Sequence, residues 1–593
     1  MKNRDRARAR AEFQRVVPAV AAGSAPGESP VPKPRSGRES IESFVVVFLA
    51  FLIWSLEAEG FVIPTGSMAP TLMGRHKEIV CPECGYVYTV NADREVEAAR
   101  PNAGAGPRIL WGTCENCRFE APLGDAPSFS GDRISVMKQG LSLPFWPGAG
   151  RVQLQRWDVA VFKLPEEPEV RYIKRLVGMP GEVVRIQEGD LWVKARDGPA
   201  AFQRPRRPLD HQQAMQVMVY DDRHRARALS PDPRWRRWSP AAAGAWTEPE
   251  PGRFVPGPST PGWVELRYHH LVPSPEQWRA IRDGQRPLDP PRATLITDYS
   301  SYNTELSAAD RADARRGARP WLQPHWVSDL TLALRLHVRE PAGRLRLELI
   351  QGGWSNHCEI DLASGEASLA HGGTLLGPPA ATGIRRPGTY DLILANVDGR
   401  LTLWVDGNRP FGDGWSYPAD PRPVVPTAAD LEPVRIAAHQ AAIAVDNLVL
   451  KRDVYYTLEP SVFDYVSLDE AAHLEASAFF DLLANPERFA RLAHHPPRDY
   501  PIAAGHYLML GDNSPWSRDS RAWGRLDQID PELPDQGWDD SGRASWEVPT
   551  SLLVGKAFCV YWPHLKPIWP EVRLGADIRL PALPYIQRMR WIR

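Results

Sequence analysis

Three short stretches of this 593-residue chain carry residue types that can break a covalent bond. Ser67 lies in Phe61-Val62-Ile63-Pro64-Thr65-Gly66-Ser67-Met68-Ala69-Pro70-Thr71-Leu72. A glycine before it and prolines on either side carry its hydroxyl on a short, stiff turn. Lys174 lies in Arg171-Tyr172-Ile173-Lys174-Arg175-Leu176-Val177, among mostly apolar neighbours. A lysine desolvated in such a setting loses several units from its ordinary pKa of about 10.4. Only the neutral amine can take a proton from a serine hydroxyl, so burial is a requirement of that chemistry. The third stretch, Leu510-Gly511-Asp512-Asn513-Ser514-Pro515-Trp516-Ser517-Arg518-Asp519-Ser520-Arg521-Ala522-Trp523-Gly524, gathers Ser517, Asp519 and Arg521 in one loop. Taken singly, each has an ordinary explanation: Gly-Ser turns are common, strand lysines point to water, and polar loops cluster by chance.

A fourth set of residues suits a metal ion. Cys81-Pro82-Glu83-Cys84 and Cys114-Glu115-Asn116-Cys117 are C-x-x-C pairs, each followed by a turn residue and an aromatic, Tyr86 and Phe119. Two such knuckles can offer four thiolates tetrahedrally to zinc in a closed, structural site. Residues 85–113 separate the pairs, a longer gap than a zinc ribbon ordinarily has, and 93–106 read as a polar loop. A pair of disulfides is the alternative if the segment faces an oxidising compartment. Cys358 and Cys559 stand alone, so there is no dense disulfide framework.

These groups need a scaffold that brings distant stretches together. The length implies two to four domains. A formal net charge of -1 excludes a global field for nucleic acid, and 59 prolines with 22 tryptophans favour β-architecture over helical bundles. The first forty residues are an arginine-rich arm and a Pro/Gly/Ser-rich segment expected to be disordered. Ser43 to Leu56 is uncharged and apolar but shorter than the roughly 20 residues of a membrane span. Extension back to Ile41 and forward past Glu57 and Glu59 to Phe61-Val62-Ile63 supplies the length. Leu56-Glu57-Ala58 is not a leader-cleavage site, so an uncleaved anchor over 41–62 is expected, with the basic arm cytoplasmic and all that follows outside.

Short Val/Ile/aromatic runs bounded by Gly and Pro, from Arg133 to Val193, read as strands of a first catalytic half over 63–194, with the Cys-rich insertion at about 78–122. Residues 195–454 change character. An irregular Arg/Pro-rich lead-in gives way to strong period-two alternation at 330–338, 345–349 and 390–405, with Asp398-Gly399 and Asp406-Gly407 as hairpin turns. This part resembles the concanavalin-like jelly-roll sandwich of lectins and laminin-G modules. The resemblance leaves open carbohydrate binding, protein binding or a ligand-free spacer. Strands resume at His506–Leu510 and Leu552–Trp562 within a second half over 455–593.

Taken in order, the serine, lysine and Gly-Asp-Asn…Ser-x-Asp-Ser-Arg stretches resemble the motifs of type I signal peptidases, membrane-bound serine/lysine proteases that remove signal peptides. The likeness covers roughly 41–194 and 455–570 and extends to Gly555-Lys556-Ala557 and Tyr561-Trp562-Pro563. It implies a mainly β catalytic domain behind one transmembrane helix, here split by the inserted sandwich. It implies Ser67 as nucleophile and Lys174 as general base, with no catalytic cofactor. Ser517 would hydrogen-bond the lysine amine, and the Thr65 hydroxyl with the Ser67 N–H would form the oxyanion hole. Asp519 with Arg521 and Asp512 with Arg175 would be supporting ion pairs. Ile63, Pro64, Met68, Tyr172 and Ile173 would line the substrate. The implied partners are preprotein signal peptides, the lipid bilayer of the inner membrane and the secretion machinery, not nucleic acid. The Cys-rich insertion, the large central insertion and the 527–547 excursion depart from the simplest members. Two other readings stay open: a Ser/Lys peptidase with another substrate, and an inactive membrane-anchored lectin-like binder. A penicillin-binding S-x-x-K arrangement is excluded, because Pro70 stands where its lysine would be.

Overall fold

The computed structural model describes residues 58–95, 106–138 save 125, 153–257 save 166, 262–315 save 286 and 288–290, 323–418, 424–470, 476–523, 546–562 and, beyond these, 565–567, 573–574, 578–579, 582–584 and 588–593. The basic arm, the apolar segment 43–56 and nearly all of the 527–547 excursion lie outside the described residues. Among those described, no helix is long and apolar enough to cross a membrane.

One part of the molecule is an eight-stranded antiparallel sheet drawn from both ends of the chain. Its strands are β1 (Ala58–Val62), β2 (Arg133–Lys138), β3 (Val159–Lys163), β4 (Arg171–Gly178), β5 (His506–Leu510), β6 (Val548–Pro549), β7 (Leu553–Trp562) and β8 (Arg590–Trp591). Their order is β1-β2-β7-β3-β4-β5-β6, with β8 paired to β7. Residues 58–62 therefore correct the expected bounds of the anchor. They pair with β2 from Ala58↔Met137 to Val62↔Arg133, and Glu59 forms an ion pair with Arg171 of β4. Backbone pairing to a neighbouring strand satisfies this segment better than extending a helix through Glu59 and Gly60 would.

Alternation along the strands divides the apolar residues between two clusters. Val159 and Val161 pack with Ile63, Met68, Leu72, Ile134 and Val136; Ala160 and Phe162 pack with Leu176, Met509 and Trp523. A three-stranded sheet, Asp190–Ala195, Glu182–Gln187 and Arg498–Pro501, also joins the segments before and after the insertion.

The inserted part is a two-sheet sandwich, each sheet eight-stranded. Leu332, Leu334 and Leu336 of Leu330–Val338 pack with Leu345, Leu347 and Leu349 of Arg344–Gln351 in one core. Asp398 and Gly399 hold φ of 53° and 67° between strands paired at Val397↔Arg400, the conformation a two-residue hairpin turn demands. The lead-in is more regular than its composition suggests, since Val217–Asp221, Trp238–Pro240, Trp246–Glu250 and Arg253–Pro256 all join the sandwich sheets. Val217 pairs with Arg452, so the insertion leaves where it enters. Adjacent ends let a large domain sit within a host domain without prying its sheet apart.

Candidate active site

Lys174 lies opposite Ala160 in the β3–β4 register and Arg175 opposite both Val159 of β3 and Leu510 of β5, so β4 is flanked on both sides from Arg175 onward. The Ser67 turn reaches it along a tightly tied path. Ile63 N–H donates to Asp132 O at 2.9 Å, Asp132 N–H to Met73 O at 2.9 Å, and Met73 N–H to the Asp132 carboxylate at 2.9 Å. Within the turn Ala69 N–H donates to Gly66 O at 3.0 Å and Leu72 N–H to Met68 O at 2.8 Å.

The outcome is a buried pair. Lys174 Nζ and Ser67 Oγ are 2.6 Å apart, and the amine also donates to Ile173 O at 3.0 Å. Lys174 is 3% exposed. Burial holds its pKa down to about 8, opposed by the Asp519 and Asp512 carboxylates and aided by the Arg521 guanidinium. Desolvation penalises the ammonium more than the neutral amine, so a large share of the lysine is uncharged at mildly alkaline pH.

Two buried ion pairs flank the amine. Arg175 holds Asp512 in a fork, Nε to Oδ1 at 2.7 Å and Nη2 to Oδ2 at 2.6 Å. Arg521 holds Asp519 likewise, at 2.9 and 2.7 Å. Arg521 also donates to Thr457 O at 2.7 Å and Ser514 O at 2.8 Å, and Asp519 accepts the Gly511 N–H at 2.9 Å. All four side chains are fully buried. Paired charges with their remaining hydrogen bonds filled are the form in which burial is tolerated.

Other residues singled out in the sequence sit differently. Ser517 is fully buried, but its Oγ has no hydrogen-bond partner among the described residues; it does not meet the lysine amine. The amine is taken up instead by Ser67 Oγ and Ile173 O. Ser517 nonetheless lies beside the Ser67 backbone. A Cβ on Gly511 would come within 2.1 Å of Ser517 Oγ and 2.4 Å of Ser67 O, so only glycine lets the two segments meet. Thr65 and Pro64 are exposed. Ile63 and Met68, expected at the substrate, are buried in the cluster beneath the turn, because the turn needs an apolar floor. Tyr172 and Ile173 are partly exposed. Over Arg171–Lys174, β4 has a strand partner on the β3 side only, among the described residues.

Asn513 was quoted in the sequence motif without a role. Its N–H donates to Ser67 O at 3.1 Å and its Nδ2 to Gly66 O at 3.2 Å. Asn303, from the insertion, exchanges two 2.8 Å hydrogen bonds with the Asn513 amide. The only local signal for Asn303 is a Tyr/Ser/Asn-rich loop, which has no periodicity to read.

The cysteines form a second centre. Cys81 Sγ lies 3.6 Å from Cys117 Sγ, and Cys84 Sγ 3.6 Å from Cys114 Sγ. All four sulfurs lie within 4.8 Å of one another, buried and unbridged. The knuckles repeat each other. Gly85 N–H returns to Cys81 O and Arg118 N–H to Cys114 O, with φ of 70° at Gly85 and 62° at Arg118. A zinc tetrahedron with Zn–S bonds of 2.3 Å has S···S edges of about 3.8 Å, so the four sulfurs fit such an ion and are too far apart for S–S bonds of about 2.05 Å.

The family model described as signal peptidase, peptidase S26, matches residues 38–229 and 348–562, more than half of the chain. The chain belongs to this peptidase family. As a member of the S26 peptidases it is a serine peptidase hydrolase. Signal peptidase I of Pseudomonas aeruginosa is 40% identical over 82 residues, 14% of this chain and 25% of that protein. Signal peptidase I of Pseudomonas fluorescens is 64% identical over 31 residues, 5% of this chain and 11% of that protein. The chain thus matches a quarter or less of the length of these relatives. Among solved structures, a protein of unknown function with a galectin-like fold from Bacillus subtilis covers 40% of this chain and 97% of its own, at 8% identity and a TM-score of 0.24. The carbohydrate-binding module CBM66 from the same organism covers 37% of this chain and 93% of its own, at 9% identity and a TM-score of 0.19. At those scores neither likeness bears on what the sandwich does.

Proposed function

We propose that this S26 peptidase is a membrane-bound type I signal peptidase that cuts preproteins with a Ser67/Lys174 dyad. The observation that carries the reading is the lysine amine, shielded from water, 2.6 Å from the serine oxygen. The neutral amine takes the Ser67 proton as Oγ attacks the scissile carbonyl. The resulting ammonium gives that proton to the departing amine, and the freed base then activates the water that hydrolyses the acyl-serine. The Ser67 N–H and the exposed Thr65 hydroxyl are the oxyanion donors in this scheme, a contribution of about 3–4 kcal/mol. Substrate adds as a strand at the open edge of Tyr172-Ile173. The apolar segment 43–56 anchors the enzyme, basic arm inward, so that the dyad works on the outer side of the inner membrane beside the export machinery.

The test is cleavage of a preprotein bearing an Ala-x-Ala site. Ser67→Ala and Lys174→Ala are each expected to lower kcat by about 10⁴-fold or more; full activity in either discards the dyad.

In the same reading Cys81, Cys84, Cys114 and Cys117 hold a zinc ion with no open position, so the metal braces the fold and takes no part in hydrolysis. Purified protein is expected to carry one zinc per chain, lost in Cys114→Ser. Metal-free protein lacking free thiols at these positions would instead mean two disulfides.

A further inference from the structure

The catalytic turn rests on residues that the catalytic sequence does not supply. Asn303 and Tyr302 come from a segment between two parts of the insertion, and both are buried. Asn303 Nδ2 donates to Asn513 Oδ1 and Asn513 Nδ2 to Asn303 Oδ1, each at 2.8 Å. The second Asn513 N–H goes to Gly66 O at 3.2 Å, and the Asn513 backbone N–H to Ser67 O at 3.1 Å. Asn303 thereby completes the Asn513 amide: both its donors and its carbonyl are engaged. Tyr302 closes the other side of the turn. Its ring packs with Ala69 and Met73, and a Cβ on Gly66 would lie 2.2 Å from its Cε1. Gly66 is therefore glycine because Tyr302 is there.

The segment carrying them is clamped from two directions. On the cysteine side, Ser301 Oγ donates to Thr89 O at 3.1 Å and Thr113 N–H to Thr304 Oγ1 at 2.9 Å. Leu306 exchanges backbone hydrogen bonds with Leu110 and Trp111 at 2.8–3.1 Å. On the sandwich side, Arg452, at the end of the strand Ile443–Arg452, donates to Asp298 O at 2.6 Å and Tyr299 O at 2.9 Å. The cysteine module and the sandwich thus grip a loop whose tip touches the nucleophile turn.

We propose that Tyr302 and Asn303 are positioning residues for Ser67, so that the insertion completes the active site. Asn303 acts through Asn513 on the two carbonyls that flank the serine nitrogen, and Tyr302 sets the height of the turn. Reacting groups misplaced by even 1 Å lose about 10²-fold in rate, so the effect appears in kcat. The proposal rests on the peptidase reading above. The two fail differently. If the wild-type chain cleaves no preprotein, that reading falls; if it cleaves but ignores Asn303, only this inference falls.

The experiment is steady-state cleavage of an Ala-x-Ala preprotein by the full-length chain in detergent, with melting temperature measured alongside. Asn303→Leu is close in size but apolar; it is expected to lower kcat about 10- to 100-fold with KM within about threefold. Asn303→Asp keeps an acceptor for Asn513 Nδ2, and so keeps the Gly66 contact; it is expected to retain more kcat than Asn303→Leu even where it melts lower. A purely packing role gives the opposite order, because a buried carboxylate is costlier than a leucine. The double variant Asn303→Leu/Asn513→Ala is expected to be no slower than Asn513→Ala alone, since the two act as one unit. Wild-type kcat in Asn303→Leu, rates that follow melting temperature, or independent multiplication of the two losses would each overturn the proposal.

Discussion

The sandwich and the catalytic sheet are both built from antiparallel strands, yet they fill their interiors in opposite ways. Between the sandwich sheets lie leucine rows from Leu330–Val338, Arg344–Gln351 and Gly388–Val397, with valine, isoleucine and aromatic rings. Around Lys174 the catalytic sheet buries Arg175, Asp512, Asp519 and Arg521 as well. Five charge-bearing side chains in one small volume carry a desolvation cost that an apolar core avoids. The sandwich interior is the solution for stability alone. Under the proposed dyad, the catalytic interior gives up some of that stability to keep one amine neutral and aimed, as functional sites commonly do.

That contrast can be broken by making the catalytic interior more like the sandwich. Lys174→Met fills the same space without a charge. It is expected to abolish cleavage, about 10⁴-fold or more in kcat, while thermal unfolding stays level or moves upward. A fall of several degrees would mean that Lys174 supports the fold and that the two interiors follow one rule. Removing half of an ion pair is the opposite manipulation. Asp519→Ala leaves Arg521 buried without its carboxylate and is expected to cost about 3–5 kcal/mol in chemical denaturation. In the sandwich, Leu347→Ala opens a cavity in the leucine rows and is expected to cost about 2–5 kcal/mol, leaving kcat per folded molecule within twofold. A large kcat change there would mean that sandwich packing reaches the dyad through more than the 298–307 segment.

What was legible in the sequence follows from the range over which each feature is determined. The Asp398-Gly399 hairpin is a local matter of two residues at positive φ, and its flanking alternation identified the antiparallel pair, although Arg400–Val405 is buried at every position rather than on one face. The C-x-x-C knuckles are local too, each closing on its own first cysteine. Ser67, Lys174, Asp512 and Asp519 were noticed through motifs, but nothing in the chain states that positions 107 residues apart approach to 2.6 Å; that comes from sheet order. Ser517 shows the limit of carrying a role over by motif, since its hydroxyl is beside the Ser67 backbone yet not on the amine. The strand over 58–62 was hidden by the apolar run before it, which invited extension of a helix through residues whose backbone pairs with β2. Tyr302 and Asn303 offered only a Tyr/Ser/Asn-rich composition, because a loop that matters through what it touches carries no periodicity.

The smallest effect is also the most diagnostic, because one group sets both activity and stability. In the proposed dyad the base must be uncharged, so kcat/KM is expected to climb with pH about a midpoint near 8, the value to which burial holds the Lys174 amine. In the unfolded chain the same amine titrates near its ordinary 10.5. Between about 8 and 10.5 the unfolded state therefore binds more protons than the folded one, and unfolding free energy rises with pH over that window. Below 8 both states are protonated and this contribution is flat, with the folded state bearing the full penalty of a buried ammonium. The rise is expected to amount to a few kcal/mol at most, and to vanish in Lys174→Met. Lys451 of the sandwich is a second amine that burial pushes down, so it adds a slope of the same sign and is the one to substitute as a control. An activity midpoint near 8 without the matching stability slope would move the titrating group off Lys174. The slope without the midpoint would leave the lysine buried but not the base, and the catalytic interior would then bear its cost for some other reason than proton transfer.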